Sequence, residues 1–265
     1  MSQAKAKYDT IGKTYNQTRT ADPYLLERLY KHLNPHADGS YLDIGCGSGN
    51  YTNQLYKKGV NIMGIDPSIE MLKKARQKNS QIDYRIGVAE DIDLPNHSIA
   101  GATAFLTIHH WQDLKEGFAE IGRVLTIGAR FVIFHSTPQQ MEGYWLNHYF
   151  PVMMKNSSLL MPTLEKIAEA MTNAGLNIVN TENYFIKNDL QDLFLLCGKN
   201  EPELYLKPEI RSGISSFAAV ANANEVEVGL KQLRADIDGG AIDRIISSYN
   251  SDQGDYLFII AEKTS

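Results

Sequence analysis

Cysteine is scarce in this sequence: there are two in 265 residues, Cys46 and Cys197. Neither falls in a C-x-x-C or Cys/His ligand spacing, which excludes a disulfide framework or a zinc site as the organising feature, and no metal is expected. Long apolar runs are missing too. None approaches the roughly 18 residues needed to span a bilayer. The opening MSQAKAKYD has no apolar core of a secretory signal. A cytoplasmic protein without a membrane partner is therefore expected. Basic residues do not dominate either: 26 Lys and Arg face 31 Asp and Glu, for a net charge of -5. Phosphate neutralisation needs clustered cations, so no nucleic-acid partner is expected. Internal repeats and low-complexity tracts are also lacking.

What is present points to a packed α/β chain. Hydrophobic residues make up 43% and charged residues 22%, enough for a sizeable core and against intrinsic disorder. The length suits one α/β domain carrying an insertion. Apolar strand patterns at 40–44, 60–65, 82–87, 100–106 and 129–134 alternate with helical spacing at 50–58, 68–78 and 113–125. Such alternation predicts a mostly parallel sheet with helices on both faces. Continuous apolar runs such as Phe131-Val132-Ile133-Phe134 suit strands buried on both sides. Beyond residue 134 the rhythm changes. Residues 136–161 are rich in aromatics and Met, broken by Pro138, Pro151 and Pro162. A helix over 163–174 and a strand over 176–186 follow, then a mostly helical stretch at 188–253 and a closing strand, DYLFIIAE.

The central chemical signal is LDIGCGSGN at residues 42–50. A strand ends in an acid, and a Gly-x-Gly-x-Gly turn then opens a helix. Glycine permits unusual backbone angles and close ligand approach, and the helix start offers free N–H groups to an anion. Asp66 closes the next strand, 19 residues beyond Gly47, where a carboxylate can take both hydroxyls of a ribose. Nicotinamide enzymes share that spacing. Their G-x-G-x-x-G fingerprint is not met here, because Asn50 stands where the third glycine belongs. For S-adenosylmethionine (SAM), the helix start would face the methionine carboxylate and Asp43 the methionine ammonium. A turn with only a structural role stays open on the residues alone.

The chain resembles the class I SAM-dependent methyltransferases of the type 11 group, through LDIGCGSGN, GIDPSIEML (64–72), GVAEDIDLP (87–95), TIHHW (107–111) and EIGRVL (120–125). The resemblance spans about residues 8–134. It implies a Rossmann-like, seven-stranded sheet, mostly parallel with an antiparallel last strand, and a helical insertion before that strand. It also implies SAM as cofactor and S-adenosylhomocysteine (SAH) as product. Residues 1–35 would form an N-terminal cap, 36–135 the SAM-binding core, 136–161 and 188–253 lid insertions on the substrate side, and 162–187 and 254–265 the remainder of one domain. Asp43, Gly45, Cys46 and Gly47 would line the methionine end. Asp66 would hold the ribose, with Pro67, Ser68 and Met71 beside the adenosine, Ala89, Glu90 and Asp91 near the adenine, and Leu106 as a further cofactor contact. Two departures stand out: Val88 replaces an Asp common in relatives, and Ile127-Gly128-Ala129 replaces Pro-Gly-Gly. Tyr8, Tyr15 and Arg19 match the cap, and Arg19 could pair with the methionine carboxylate; a helix packed on the core is the alternative reading.

SAM brings its own leaving group, so the protein must align the acceptor, exclude water and, for an oxygen or carbon acid, remove a proton. His109 and His110 follow the fourth strand at the edge where ligands bind in open α/β sheets. They are the candidate catalytic residues, with a packing role left open. His135, Tyr144, Trp145 and His148 follow the fifth strand and are candidate substrate contacts. A small-molecule acceptor with hydrophobic parts is expected, and the chain would work as a monomer or homodimer. A protein or RNA acceptor, a non-catalytic SAM-binding module and a nicotinamide dehydrogenase are the competing readings.

Overall fold

The computed structural model describes residues 18–249 and 251–264. Helix α1 (Pro23–Leu33) starts on Asp22, whose side chain accepts from the Leu25 N–H, and buries Leu25, Leu26, Leu29 and Leu33. That one-sided spacing lays it against the sheet. Strand β1 (Tyr41–Ile44) is followed by α2 (Asn50–Lys57), β2 (Ile62–Asp66), α3 (Ile69–Lys78), β3 (Tyr84–Ile86), β4 (Ile99–Phe105), α4 (Leu114–Val124) and β5 (Leu125–His135). Short helices α5 (Pro138–Glu142), α6 (Leu146–Tyr149) and α7 (Pro151–Ser158) come next, then α8 (Leu164–Asn173) and β6 (Leu176–Tyr184). The chain then leaves the sheet through α9 (Pro208–Ser212), α10 (Ser215–Ala219), α11 (Ala223–Asp238) and α12 (Ile242–Ser248), and returns as β7 (Tyr256–Lys263).

The seven strands run in the order β3-β2-β1-β4-β5-β7-β6. All pairs from β3 to β5 are parallel, and β7 lies antiparallel to both β5 and β6. The expected architecture is therefore present. Several strand boundaries shift from the sequence reading, two of them tellingly. The sixth strand ends at Tyr184 rather than 186. The fifth begins at Leu125, straight off the C-terminus of α4, with the Gly128 turn (φ 80°) carried inside its edge.

Alternation along β5 divides the core. Val132 and Phe134 join one cluster and Phe131 and Ile133 the other, as the period of two requires for a strand covered on both faces. The Phe134 side holds α1, the aromatics of 144–150 and the apolar residues of the excursion, including Phe194, Leu196, Tyr205 and Leu233. The two stretches that interrupt the alternation thus pack together as one layer. No helix among the described residues is long and apolar enough to cross a membrane.

Candidate active site

Strand order reverses between β1 and β4, and the site opens at the carboxyl ends of these strands, as the switch point of an open α/β sheet dictates. The loop leaving β1 takes positive φ at Gly45 (69°), Gly47 (54°) and Gly49 (71°). A Cβ on Gly45 would stand 1.9 Å from Thr107 Oγ1, whereas one on Gly47 would meet nothing within 4 Å. The first glycine permits close approach of the segments that leave β1 and β4; the second borders open space. The loop is fastened to β2: the Gly45 and Cys46 N–H groups donate to the Ile65 carbonyl at 2.8 and 3.1 Å. The Gly47 N–H donates to Asp66 Oδ2 at 2.8 Å.

Two carboxylates lie beneath this loop. Asp66 is 8% exposed, and its Oδ1 accepts the Ser68 N–H at 2.8 Å. Burial pushes its carboxyl up to about 6, against the two backbone donors. Asp43 accepts from the hydroxyls of Thr52 (2.5 Å) and Thr103 (2.8 Å). Burial raises it to about 6 as well, with the two threonines opposing and Asp66 adding to the rise. Both border a cleft enclosing about 1080 Å³, open solvent included. Pro67, Met71, Val88 and Ala89 give it an apolar end, and Asp43 and the glycines line the rest. A flat ring, vicinal hydroxyls and an ammonium group all find matching chemistry here. The open space at Gly47 and the buried Asp66 carboxylate facing the cleft fit an adenosine bearing an amino-acid tail.

A family profile described as a methyltransferase domain matches residues 42–133. A solved structure from Anabaena variabilis, named a putative methyltransferase from an antibiotic biosynthesis pathway, is 32% identical; the match covers 92% of this chain and 98% of that one, with a TM-score of 0.82. The chain belongs to the class I SAM-dependent methyltransferases. An uncharacterized methyltransferase of Mycobacterium tuberculosis is 27% identical to this methyltransferase over 72% of its length and 80% of the relative's. A demethylmenaquinone methyltransferase of Porphyromonas gingivalis is 24% identical over 65% of this chain and 84% of that one.

Most residues expected at the cofactor border the cleft of this methyltransferase: Arg19, Asp43, Gly45, Cys46 and Gly47, then Asp66, Pro67 and Met71, then Ala89, Glu90 and Leu106. Two do not. Ser68 lies behind the wall, where its Oγ caps α3 by accepting the Met71 N–H at 3.3 Å. Asp91 turns to solvent on a single bridge with Val88. Glu90 is engaged already, accepting the Gln112 and Asp113 N–H groups at 2.5 and 3.2 Å. Val88, the departure from the family pattern, itself lines the cleft. Tyr8 and Tyr15 fall outside the described residues. Tyr51, Thr107 and Asp192 also border the cleft and were not anticipated. Tyr51 directly follows the LDIGCGSGN motif and Thr107 opens the TIHHW motif, a signal that could have found them. Asp192 has no local signal at all.

A second cavity of about 580 Å³, open solvent included, adjoins the first and shares Arg19, Leu106 and His110 with it. Leu106, which lines both, holds φ at 51°, an uncommon angle for a residue with a bulky side chain. His109 borders the second cavity only, its ring 3.9 Å from that of His110. Met141, Met161, Phe194, Leu195 and Ile214 supply apolar walls.

The four expected substrate contacts take other places. His135 is fully buried, bonded through Nε2 to the Pro162 carbonyl at 3.0 Å. Burial pushes it down to about 4, so it stays neutral and borders neither cavity. Tyr144 is closed into the core, its hydroxyl donating to the Leu196 carbonyl (2.9 Å) and lying 2.8 Å from that of Tyr205. Trp145 Nε1 donates to the Lys199 carbonyl at 3.2 Å. Each ring joins α5–α7 to the excursion, because an indole or phenol in a core must satisfy its polar end. His148 faces solvent.

Proposed function

We propose that this methyltransferase transfers the methyl group of SAM to a small molecule with an apolar body, held in the second cavity. The observation that carries the reading is the meeting of the two cavities at Arg19, Leu106 and His110. SAM, when bound, supplies an electrophilic methyl group on a sulfonium. Asp66 would accept the ribose hydroxyls with the lone pairs left by Gly47 and Ser68. Asp43, with its threonine donors, sits where it would face the ammonium. Pro67, Met71 and Ala89 would cover the adenine. The layer built by 136–161 and 188–253 would exclude water from the acceptor.

His110 borders both cavities, so an imidazole nitrogen there can take a proton from the acceptor as the methyl group arrives. His109 lies tilted beside it and shapes the wall of the second cavity. The demethylmenaquinone methyltransferase named above is a precedent for a small acceptor in this group, and the apolar walls of the second cavity favour such an acceptor. A cytoplasmic setting suits this chemistry.

Label transfer tests the reading. Methyl-labelled SAM and purified protein are added to fractionated cell extract, with Asp66→Ala as control. Label in a small-molecule fraction, lost in the variant, is expected. Label in protein or RNA, or no transfer despite SAM binding, would overturn it.

A further inference from the structure

One of the three side chains shared by the cavities carries a permanent charge. Arg19 Nε donates to Asp192 Oδ1 at 2.5 Å, and Nη2 to Oδ2 at 3.2 Å. The Asp192 side chain is 1% exposed and also accepts from the Tyr51 hydroxyl at 3.2 Å. Tyr51 belongs to α2, the helix opened by the glycine loop, and stacks on Phe105 with centroids 3.8 Å apart. Backbone bonds repeat the tie. The Leu193 N–H donates to the Thr18 carbonyl at 3.0 Å, and the Gln191 N–H to Asp22 Oδ2 at 3.0 Å. Asn50 Nδ2 donates to the Arg19 carbonyl at 3.0 Å. Asp192 borders the first cleft, while Phe194 and Leu195 border the second cavity.

A methyl group passes between the cavities only where they meet, so the sulfonium must lie at this junction. A guanidinium fixed there repels a sulfonium, and the repulsion is strong a few ångströms away in a water-poor site. Asp192 brings the opposite charge. Burial pushes its carboxyl up, while Arg19 and the Tyr51 hydroxyl hold it down.

We propose that Asp192 is a charge-matching positioning residue: by neutralising Arg19 at the junction, it lets the cleft hold the cationic sulfonium of SAM in preference to the neutral thioether of SAH. The inference rests on SAM occupying the first cleft. SAM and SAH differ only by the methyl group and one positive charge, so the ratio of their affinities isolates the junction from the rest of the site.

Calorimetric titration of the full chain with SAM and with SAH tests it, in the parent and in D192N, R19Q and R19Q/D192N. D192N raises the junction charge by one unit and should weaken SAM, relative to SAH, by about tenfold or more. The double variant restores neutrality and should bring the ratio back toward that of the parent. R19Q alone adds no positive charge, so its ratio should stay at or above the parent's. Equal losses of both ligands in D192N, no recovery in the double variant, or a fall in R19Q would each overturn the proposal and leave Asp192 a purely structural residue. If D192N does not fold, R19Q and the double variant decide by the same ratio: a fall in either overturns it. Failure of the cleft assignment reads differently, as SAM binding that Asp66→Ala leaves unchanged.

Discussion

The two cavities touch, yet they are built by opposite means. The first is made largely of backbone: positive-φ glycines, N–H groups aimed at carboxylates, and the ends of neighbouring parallel strands. The second is made of side chains from positions as distant as Leu106, Met161, Ile214 and Tyr256. Backbone geometry of the first kind has few solutions, so it demands particular residues at particular spacings. A wall of methionine and aromatic side chains has many solutions, because volume and apolarity suffice. The first cavity therefore suits a fixed ligand and the second a variable one.

Valine at Gly47 should break the contrast most severely. Its side chain would fill the open space beside the loop, at a φ of 54° that costs a residue with a Cβ about 1–2 kcal/mol. Calorimetry should show SAM binding abolished while circular dichroism shows a folded chain. Normal binding would place the cofactor elsewhere. His110→Ala probes the seam between the cavities. If the imidazole takes a proton, kcat should fall about a hundredfold or more with SAM affinity little changed. Equal turnover in variant and parent would remove it from the chemistry.

The carboxylates give a pH signature confined to the first cavity. Burial raises Asp43 and Asp66 to about 6, above the ordinary Asp range, so each binds its proton more tightly folded than unfolded. The stability they contribute is full below the unfolded value and is lost as pH rises through about 6. Thermal melts of the ligand-free chain over this window check that sign. SAM binding should run the other way, weakening as pH falls below about 6, since a protonated Asp66 accepts ribose hydroxyls poorly. Asp66→Asn should remove the part of that slope that Asp66 carries and leave the part due to Asp43. An unaltered slope would move its origin away from Asp66. The smallest effect belongs to the aromatic layer. Tyr144→Phe strips a donor from the Leu196 carbonyl and should cost about 1–3 kcal/mol of stability. SAM affinity should be unchanged; a large loss would tie this layer to the first cleft.

This contrast also explains what could be read in advance. The sheet, its antiparallel last strand and the glycine loop with Asp66 were legible because strand periodicity and positive-φ turns write themselves into neighbouring residues. Tyr144 and Trp145 misled for a physical reason. A ring lining a pocket and a ring bonded to a distant carbonyl have the same local sequence, and only the position of Leu196 or Lys199 separates them. Asp192 was illegible on the same ground. It meets Arg19 across 173 positions, and nothing beside it in the chain marks the encounter.

The return of the chain to the sheet has a consequence of its own. Tyr184, the last residue of β6, pairs with Tyr256, the first of β7. Everything between them thus leaves and re-enters through one doorway. Loop closure grows only logarithmically with length, about 0.6 kcal/mol for each doubling, so a change in the length of the excursion costs the framing strands little; its packing against α1 and residues 144–150 is what fixes its content. A foreign excursion that left out a carboxylate at position 192 would reshape the second cavity and remove the Asp192 counter-charge from Arg19 at its threshold.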